Sequence, residues 1–131
     1  MATITEGYVS FETAKLLKEK GFDEKTIYYY QLNCYDEPIL SGSIKNFYNR
    51  STNKYCCCTL QMAMKWLRIK HNLYIEPYVI KNYNNKKLEY TYSIQDLDFN
   101  GSDDGIECCK NWNSPEEACE AAIKYCLEHL I

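Results

Sequence analysis

The chain has 131 residues, 46% of them hydrophobic and 25% charged. That length fits one domain, residues 1–131, better than two, and it lets the fold bury about two thirds of the surface an unfolded chain exposes, enough for a core without disulfide or metal staples. The net charge of −3 is unevenly spread: residues 1–94 carry thirteen Lys/Arg against nine Asp/Glu, residues 95–131 two against nine, which argues against nucleic acid as a partner of the acidic last third.

Thirteen tyrosines against four phenylalanines imply aromatic faces with one wet edge, because a buried phenol needs a hydrogen-bond partner. The residues from Met1 to Gly7 are polar, and no apolar h-region of a signal peptide follows them. No run approaches the ~18 apolar residues of a membrane span. The expectation is a cytoplasmic protein whose eight cysteines are reduced thiols. Asn49-Arg50-Ser51 matches a glycosylation acceptor, a motif without meaning in that compartment.

In chain order, the first predicted element is a helix over Phe11–Lys20. Ser10 caps it, Phe11, Ala14 and Leu17 give it an apolar stripe with Leu16 beside them, and Gly21 supplies the left-handed residue that ends it. Phe22 is expected to fold back on that stripe. Thr26–Cys34, carrying Tyr28, Tyr29 and Tyr30, reads as a strand. Residues 36–55 show no clear period, with one hairpin arm around Ile44–Tyr48. Thr59 caps a second helix over Leu60–His71 that ends at Asn72. Leu60, Ala63, Met64 and Leu67 form one apolar face of it and Met62, Trp66 and Ile69 another, the pattern of a helix packed on two sides. The alternative for Met62 and Trp66 is an exposed partner-binding patch. Lys65, Arg68 and Lys70 cluster in its last turns, where cations complement the helix dipole.

Leu73–Ile80 reads as a strand with Pro77 marking an edge or bulge, and the Asn-rich Asn82–Lys86 as the loop of a hairpin. In the second arm Leu88, Tyr90, Tyr92 and Ile94 alternate with Glu89, Thr91, Ser93 and Gln95. Ile106–Lys110 reads as a short fourth strand. The third helix has the strongest start: Ser114 caps, Pro115 takes the first position and Glu117 completes a capping box. Cys119, Ala122, Ile123, Cys126, Leu127 and Leu130 then recur at helical spacing. The fold class is α+β, an antiparallel sheet of about four strands with three helices packed mainly on one face.

Asp96 to Glu107 satisfies a calcium-loop pattern, with oxygens at Asp96, Asp98, Asn100 and Ser102, Gly101 at position six and Glu107 at twelve. Asp103 and Phe99 depart from that pattern and the entering helix is missing, so the competing reading is a polar turn between strands. Cys56, Cys57 and Cys58 are consecutive. Cys58, just before a helix, is the thiol most exposed to activation by the helix N-terminus. A zinc site from Cys108, Cys109, Cys126 and His129 would lack any Cys-x-x-Cys pair, and Cys119 and Cys126 read as small buried hydrophobes. Neither a glycine-rich dinucleotide fingerprint nor a phosphate loop, a nucleophile elbow or a His-Glu-x-x-His occurs.

Tyr8-Val9-Ser10-Phe11-Glu12-Thr13-Ala14-Lys15-Leu16-Leu17-Lys18-Glu19-Lys20-Gly21-Phe22 resembles the opening of uncharacterised small accessory proteins of gut-bacterial phages and prophages. Thr59 to Arg68 and Ser114 to Ile131 are similar to their middle and closing segments. The three stretches cover about a third of the chain and coincide with its helices. Cys57 and Cys58 stand where those proteins often carry Ala-Pro, which weakens a thiol function as a general property. The resemblance implies a phage or prophage protein acting in the cytoplasm of a host bacterium and brings no catalytic residues. The expected function is therefore non-enzymatic binding of a host protein without a cofactor. Tyr28, Tyr30, Tyr74 and Tyr78 are the candidate contacts, since tyrosine gives large contact area at low entropic cost. The alternatives are sequestration of a small ligand or nucleotide against host defence, using Lys65 or Arg68 as the basic contact, and the calcium loop.

Overall fold

The computed structural model describes residues 7–50, 53–98, 105–108 and 110–131, with residues 43–47 described as backbone only. The chain divides into two compact units, residues 1–63 and 64–131.

In the first unit, helix α1 (Phe11–Glu19) begins where the Ser10 hydroxyl accepts the Thr13 N–H at 3.4 Å. It buries Thr13, Ala14 and Leu17. Gly21, at φ +93°, ends it in a Schellman arrangement: the Gly21 N–H donates to the Lys18 carbonyl at 3.1 Å and the Phe22 N–H to the Leu17 carbonyl at 2.9 Å. Phe22 and Leu17 are both fully buried, the apolar contact that accompanies this motif. Strands β1 (Thr26–Leu32), β2 (Pro38–Phe47) and β3 (Lys54–Cys57) form an antiparallel sheet in the order β2-β1-β3. β1 stops two residues short of the expected Cys34 because Asn33 opens the turn. Its side-chain carbonyl accepts the N–H groups of Tyr35 (2.8 Å) and Glu37 (2.9 Å), and Asp36 takes the left-handed conformation at φ 58°.

β3 was not expected. It pairs with β1 from Tyr28↔Cys57 to Gln31↔Lys54 and packs against α1. Cys56 and Cys57 point to opposite faces of the strand, yet both are buried. A strand covered on both faces has no alternation to read. Asn49 ties this region together: its side chain accepts the Cys56 N–H at 2.7 Å and donates to the Phe22 carbonyl at 2.8 Å. The acceptor-like asparagine is thus a structural clamp, its amide committed on both sides. Ser51 lies outside the described residues.

Helix α2 (Leu60–His71) starts with the Thr59 hydroxyl accepting the Met62 N–H at 3.1 Å and ends at Asn72, φ 56°. Leu60, Ala63, Trp66 and Leu67 are buried, whereas Met62 and Ile69 are exposed. The second apolar face is therefore divided: Trp66 is enclosed and its neighbours are not.

In the second unit, β4 (Leu73–Asn82), β5 (Lys87–Asp96) and β6 (Ile106–Glu107) form an antiparallel sheet in the order β4-β5-β6. The architecture is α+β with three helices, but its strands make two three-stranded sheets instead of one sheet of about four. Each hairpin finds its third strand nearby: β3 takes the free edge of β1, and β6 that of β5. The β4–β5 register runs unbroken from Leu73↔Asp96 to Asn82↔Lys87, passing through Pro77. This is possible because Tyr92, opposite Pro77, turns its carbonyl away from β4 to accept the Cys108 N–H at 3.3 Å. Pro77 therefore occupies a non-hydrogen-bonded pair, where a missing donor costs the ladder nothing and blunts the open edge.

Helix α3 (Pro115–Tyr125) packs on β4 and β5. Ser114 accepts the Glu117 N–H at 3.1 Å, and the Glu117 carboxylate reaches back to the Asn113 N–H at 3.3 Å. Ala118, Cys119, Ala122 and Ile123 are buried, as are Cys126 and Leu127 in the π-helical turn that follows, Cys126–Leu130. Leu130, expected in the buried stripe, is only half-buried, because the wider turn shifts the phase of the residues beyond Leu127. Among the described residues no helix is long and apolar enough to cross a membrane.

Candidate functional site

Two surfaces of the second unit stand out, a groove and a hairpin end. The groove is built from β5 outward. Tyr90 exchanges both backbone hydrogen bonds with Trp112, 2.9 and 2.7 Å, which docks the segment before α3 alongside the strand. The Trp112 ring then stacks on Tyr92, with centroids 5.5 Å apart and planes inclined by 27°. Glu107 and Lys110 complete this strand wall. The opposite wall comes from α3 and the π-turn, where Ala121, Lys124, Tyr125, Glu128 and His129 follow one another at helical spacing. Tyr125 and His129 lie 4.8 Å apart, and His129 Nε2 is 3.8 Å from the Glu128 carboxylate. The space between the walls is about 490 Å³, within the range of small-molecule sites.

Burial, and then a hydrogen bond with the Cys108 side chain, push the Tyr92 phenol well above its ordinary range. The Cys108 sulfur also accepts the Lys110 N–H at 3.4 Å. The groove thus offers a half-exposed indole, two cations, two carboxylates and an imidazole, a set suited to stacking and hydrogen bonding.

The second surface is the distal half of the β4–β5 hairpin. Tyr78 and Ile80 (38% exposed each) lie on one face of β4 and Val79 (49%) on the other. Tyr83 (83%) is in the turn and Leu88 (52%) begins the return strand. The alternation that predicts Leu88 and Tyr90 inward holds near the base, where Tyr92 and Ile94 are buried, and fails at the tip, where no core backs the strand.

The tyrosines singled out from sequence fall two on each sheet. Tyr28 is partly exposed on β1 and meets Tyr8 edge-on at 5.3 Å. Tyr30 is committed to the first unit: its hydroxyl donates to the Val9 carbonyl at 2.7 Å and its ring packs edge-on against Phe11. Tyr74 and Tyr78 share one face of β4, both partly exposed. Lys65 and Arg68 are exposed on α2 and do not line the groove, whose cations are Lys110 and Lys124. Cys58 is 3% exposed, so its position before α2 does not give it access to solvent. In the calcium pattern, the Asp96 carboxylate accepts the Asp98 N–H at 2.8 Å, a turn contact, and Glu107 sits on β6. Asn100 and Ser102 lie outside the described residues, as does Cys109 of the zinc set. Among the described residues no group of three His, Cys, Asp or Glu side chains could hold a metal ion. Of the hairpin end only Tyr78 is singled out by sequence, and no local motif marks the groove, because its lining comes from Tyr92, from the stretch between Ile106 and Trp112, and from the helix between Ala121 and His129.

Comparison with protein-family models, with curated proteins and with solved structures returns no match for this chain.

Proposed function

We propose that this chain is a non-enzymatic accessory protein of phage or prophage origin that binds a host protein in the bacterial cytoplasm, with the distal half of the β4–β5 hairpin as its contact. The observation that carries this is the exposure of Tyr78, Val79, Ile80, Tyr83 and Leu88 on both faces and in the turn of one hairpin. Exposing these side chains to water is unfavourable, and their concentration at one end of a hairpin fits an interaction site that grips both faces. Pro77 supports contact through side chains over strand addition, since it removes a donor from the open edge of β4. The host setting comes from the resemblance of the three helical segments. Native mass spectrometry of the chain purified gently from a bacterial host tests it: a stoichiometric protein partner is expected.

A second reading, sequestration of a small ligand, is favoured by the groove beside Trp112. A retained small molecule in the same spectrum, with no protein partner, would select it.

A further inference from the structure

We infer that the groove between the β5–β6 edge and the C-terminal helix is a binding site for an uncharged nucleoside, its base stacked on Trp112 and its polar edges read by the two walls. This deepens the second reading above and does not depend on the hairpin. Four observations carry it. First, Trp112 is stacked on Tyr92, is half-exposed and lines the groove together with that tyrosine, so the groove already holds an aromatic stack on which a flat ring can dock. Stacking on an aromatic side chain is a common way for proteins to hold a base, because every base has a π-face.

Second, each wall carries one cation and one carboxylate: Lys110 and Glu107 on the strand side, Lys124 and Glu128 on the helix side. A plate held between them meets a donor and an acceptor on both edges, since an ammonium has three N–H donors and can serve a ligand beside a contact within the chain. Nucleobases present that mixture, their ring carbonyls accepting and their amino or imino N–H groups donating. Third, those four formal charges cancel, and the last third of the chain is strongly acidic. A phosphate group would need a surplus of cations that the groove lacks, so the nucleoside and not its phosphate is the better fit. An amino acid carries both its charged groups on one carbon at one end of the molecule, whereas the groove sets a cation and a carboxylate on each of two opposite walls. Fourth, Ala121 stands across from the strand wall as the smallest residue in the groove, leaving room for a ring that a larger side chain would fill.

Calorimetric titration of the full chain tests this, using adenosine, guanosine, cytidine, uridine, their 5′-monophosphates and L-phenylalanine as probes. The expected result is that at least one nucleoside binds, that its monophosphate binds no more tightly, and that Ala121→Leu weakens binding at least tenfold at unchanged melting temperature. Should Ala121→Leu fail to fold, Glu128→Gln, on an exposed side chain, replaces it, with the same tenfold loss expected for the nucleoside that donates to that carboxylate. Absence of binding by every nucleoside at about 1 mM overturns the proposal, as does tighter binding of a monophosphate, binding of L-phenylalanine in their place, or binding that neither substitution weakens. If another small molecule is retained from the host while nucleosides fail, the ligand class falls and the sequestration reading stands. If none is retained, both fall.

Discussion

Trp112 and Tyr90 exchange both of their backbone hydrogen bonds, 2.9 and 2.7 Å, although 21 residues of sequence that include β6 separate them. This pair holds the segment preceding α3 against β5, helped by the Asn111 amide, which donates to the Glu89 carboxylate at 2.9 Å, and neither contact uses the indole, which stacks on Tyr92. Trp112→Ala should therefore keep the segment in place and lose the ring contact. The expected cost is about 1–3 kcal/mol, below the range for a fully buried tryptophan because Trp112 is half-exposed. Denaturant melts measure it. A loss of 5 kcal/mol or more would mean that the ring, and not the backbone pair, holds the segment.

The third helix should behave as part of the core. Leu127 is fully buried, so Leu127→Ala should cost about 2–5 kcal/mol, whereas Glu116→Gln on the exposed face should cost only about 0.5 kcal/mol or less. Denaturant melts of the two variants check this. A loss under about 1 kcal/mol for Leu127→Ala would remove the helix from the core and make it a detachable segment.

The helices were legible because their ends carry their own chemistry. Ser10, Thr59 and Ser114 each cap as their side chains dictate, and Gly21 and Asn72 end two helices in the left-handed conformation. β3 was illegible for the opposite reason, since Cys56 and Cys57 are buried on both faces and leave no polar side to mark the period. β2 contains Gly42 and two serines and owes its place to pairing with β1 more than to any pattern of its own. Alternation in β5 tells which face each residue takes but not how far each face is covered: Leu88 on the apolar side is exposed, whereas Thr91 on the polar side is fully buried, its hydroxyl donating to the Cys108 carbonyl at 3.4 Å. The groove depends on residues brought together from β5, β6 and α3, a juxtaposition that spacing along the chain does not encode.

Buried thiols give a pH dependence with a definite sign. Burial pushes the Cys56 thiol up to about 11 and the Cys126 thiol to about 12, from an ordinary value of 9.0, and raises Cys119 in the same direction. Between the unfolded and folded values the native state holds more protons than the unfolded chain, so stability falls as pH rises through that window. Lys18, whose ammonium is shifted downward chiefly by burial, opposes this but is mostly solvated. Urea midpoints should be flat between about pH 7 and 8 and should fall above about pH 9, with a shallower fall in Cys126→Ala. Midpoints that hold or rise above pH 9 would contradict the burial of these thiols.

Calcium should leave stability unchanged. The Asp96 carboxylate already accepts the Asp98 N–H, which is what a turn requires. Melting temperatures in millimolar calcium and in chelator should coincide. A rise of several degrees with calcium alone would reverse this, because a ligand that binds only the native state must stabilise it.

The end of the β4–β5 hairpin is the proposed protein contact, and the paired charge substitution Val79→Glu/Ile80→Lys tests it, the lysine being placed opposite Glu89 so that no like charges face each other across the strands. Both residues are exposed, so the variant should fold with stability changed by about 0.5 kcal/mol or less per site. Once native mass spectrometry has identified the partner, its affinity for the wild-type chain and for the variant is measured with purified components. The expected result is a loss of at least about 2 kcal/mol, roughly thirtyfold, as truncation of an interface hot spot gives. An affinity within about twofold of wild type, in a variant with the wild-type melting temperature, would contradict the claim.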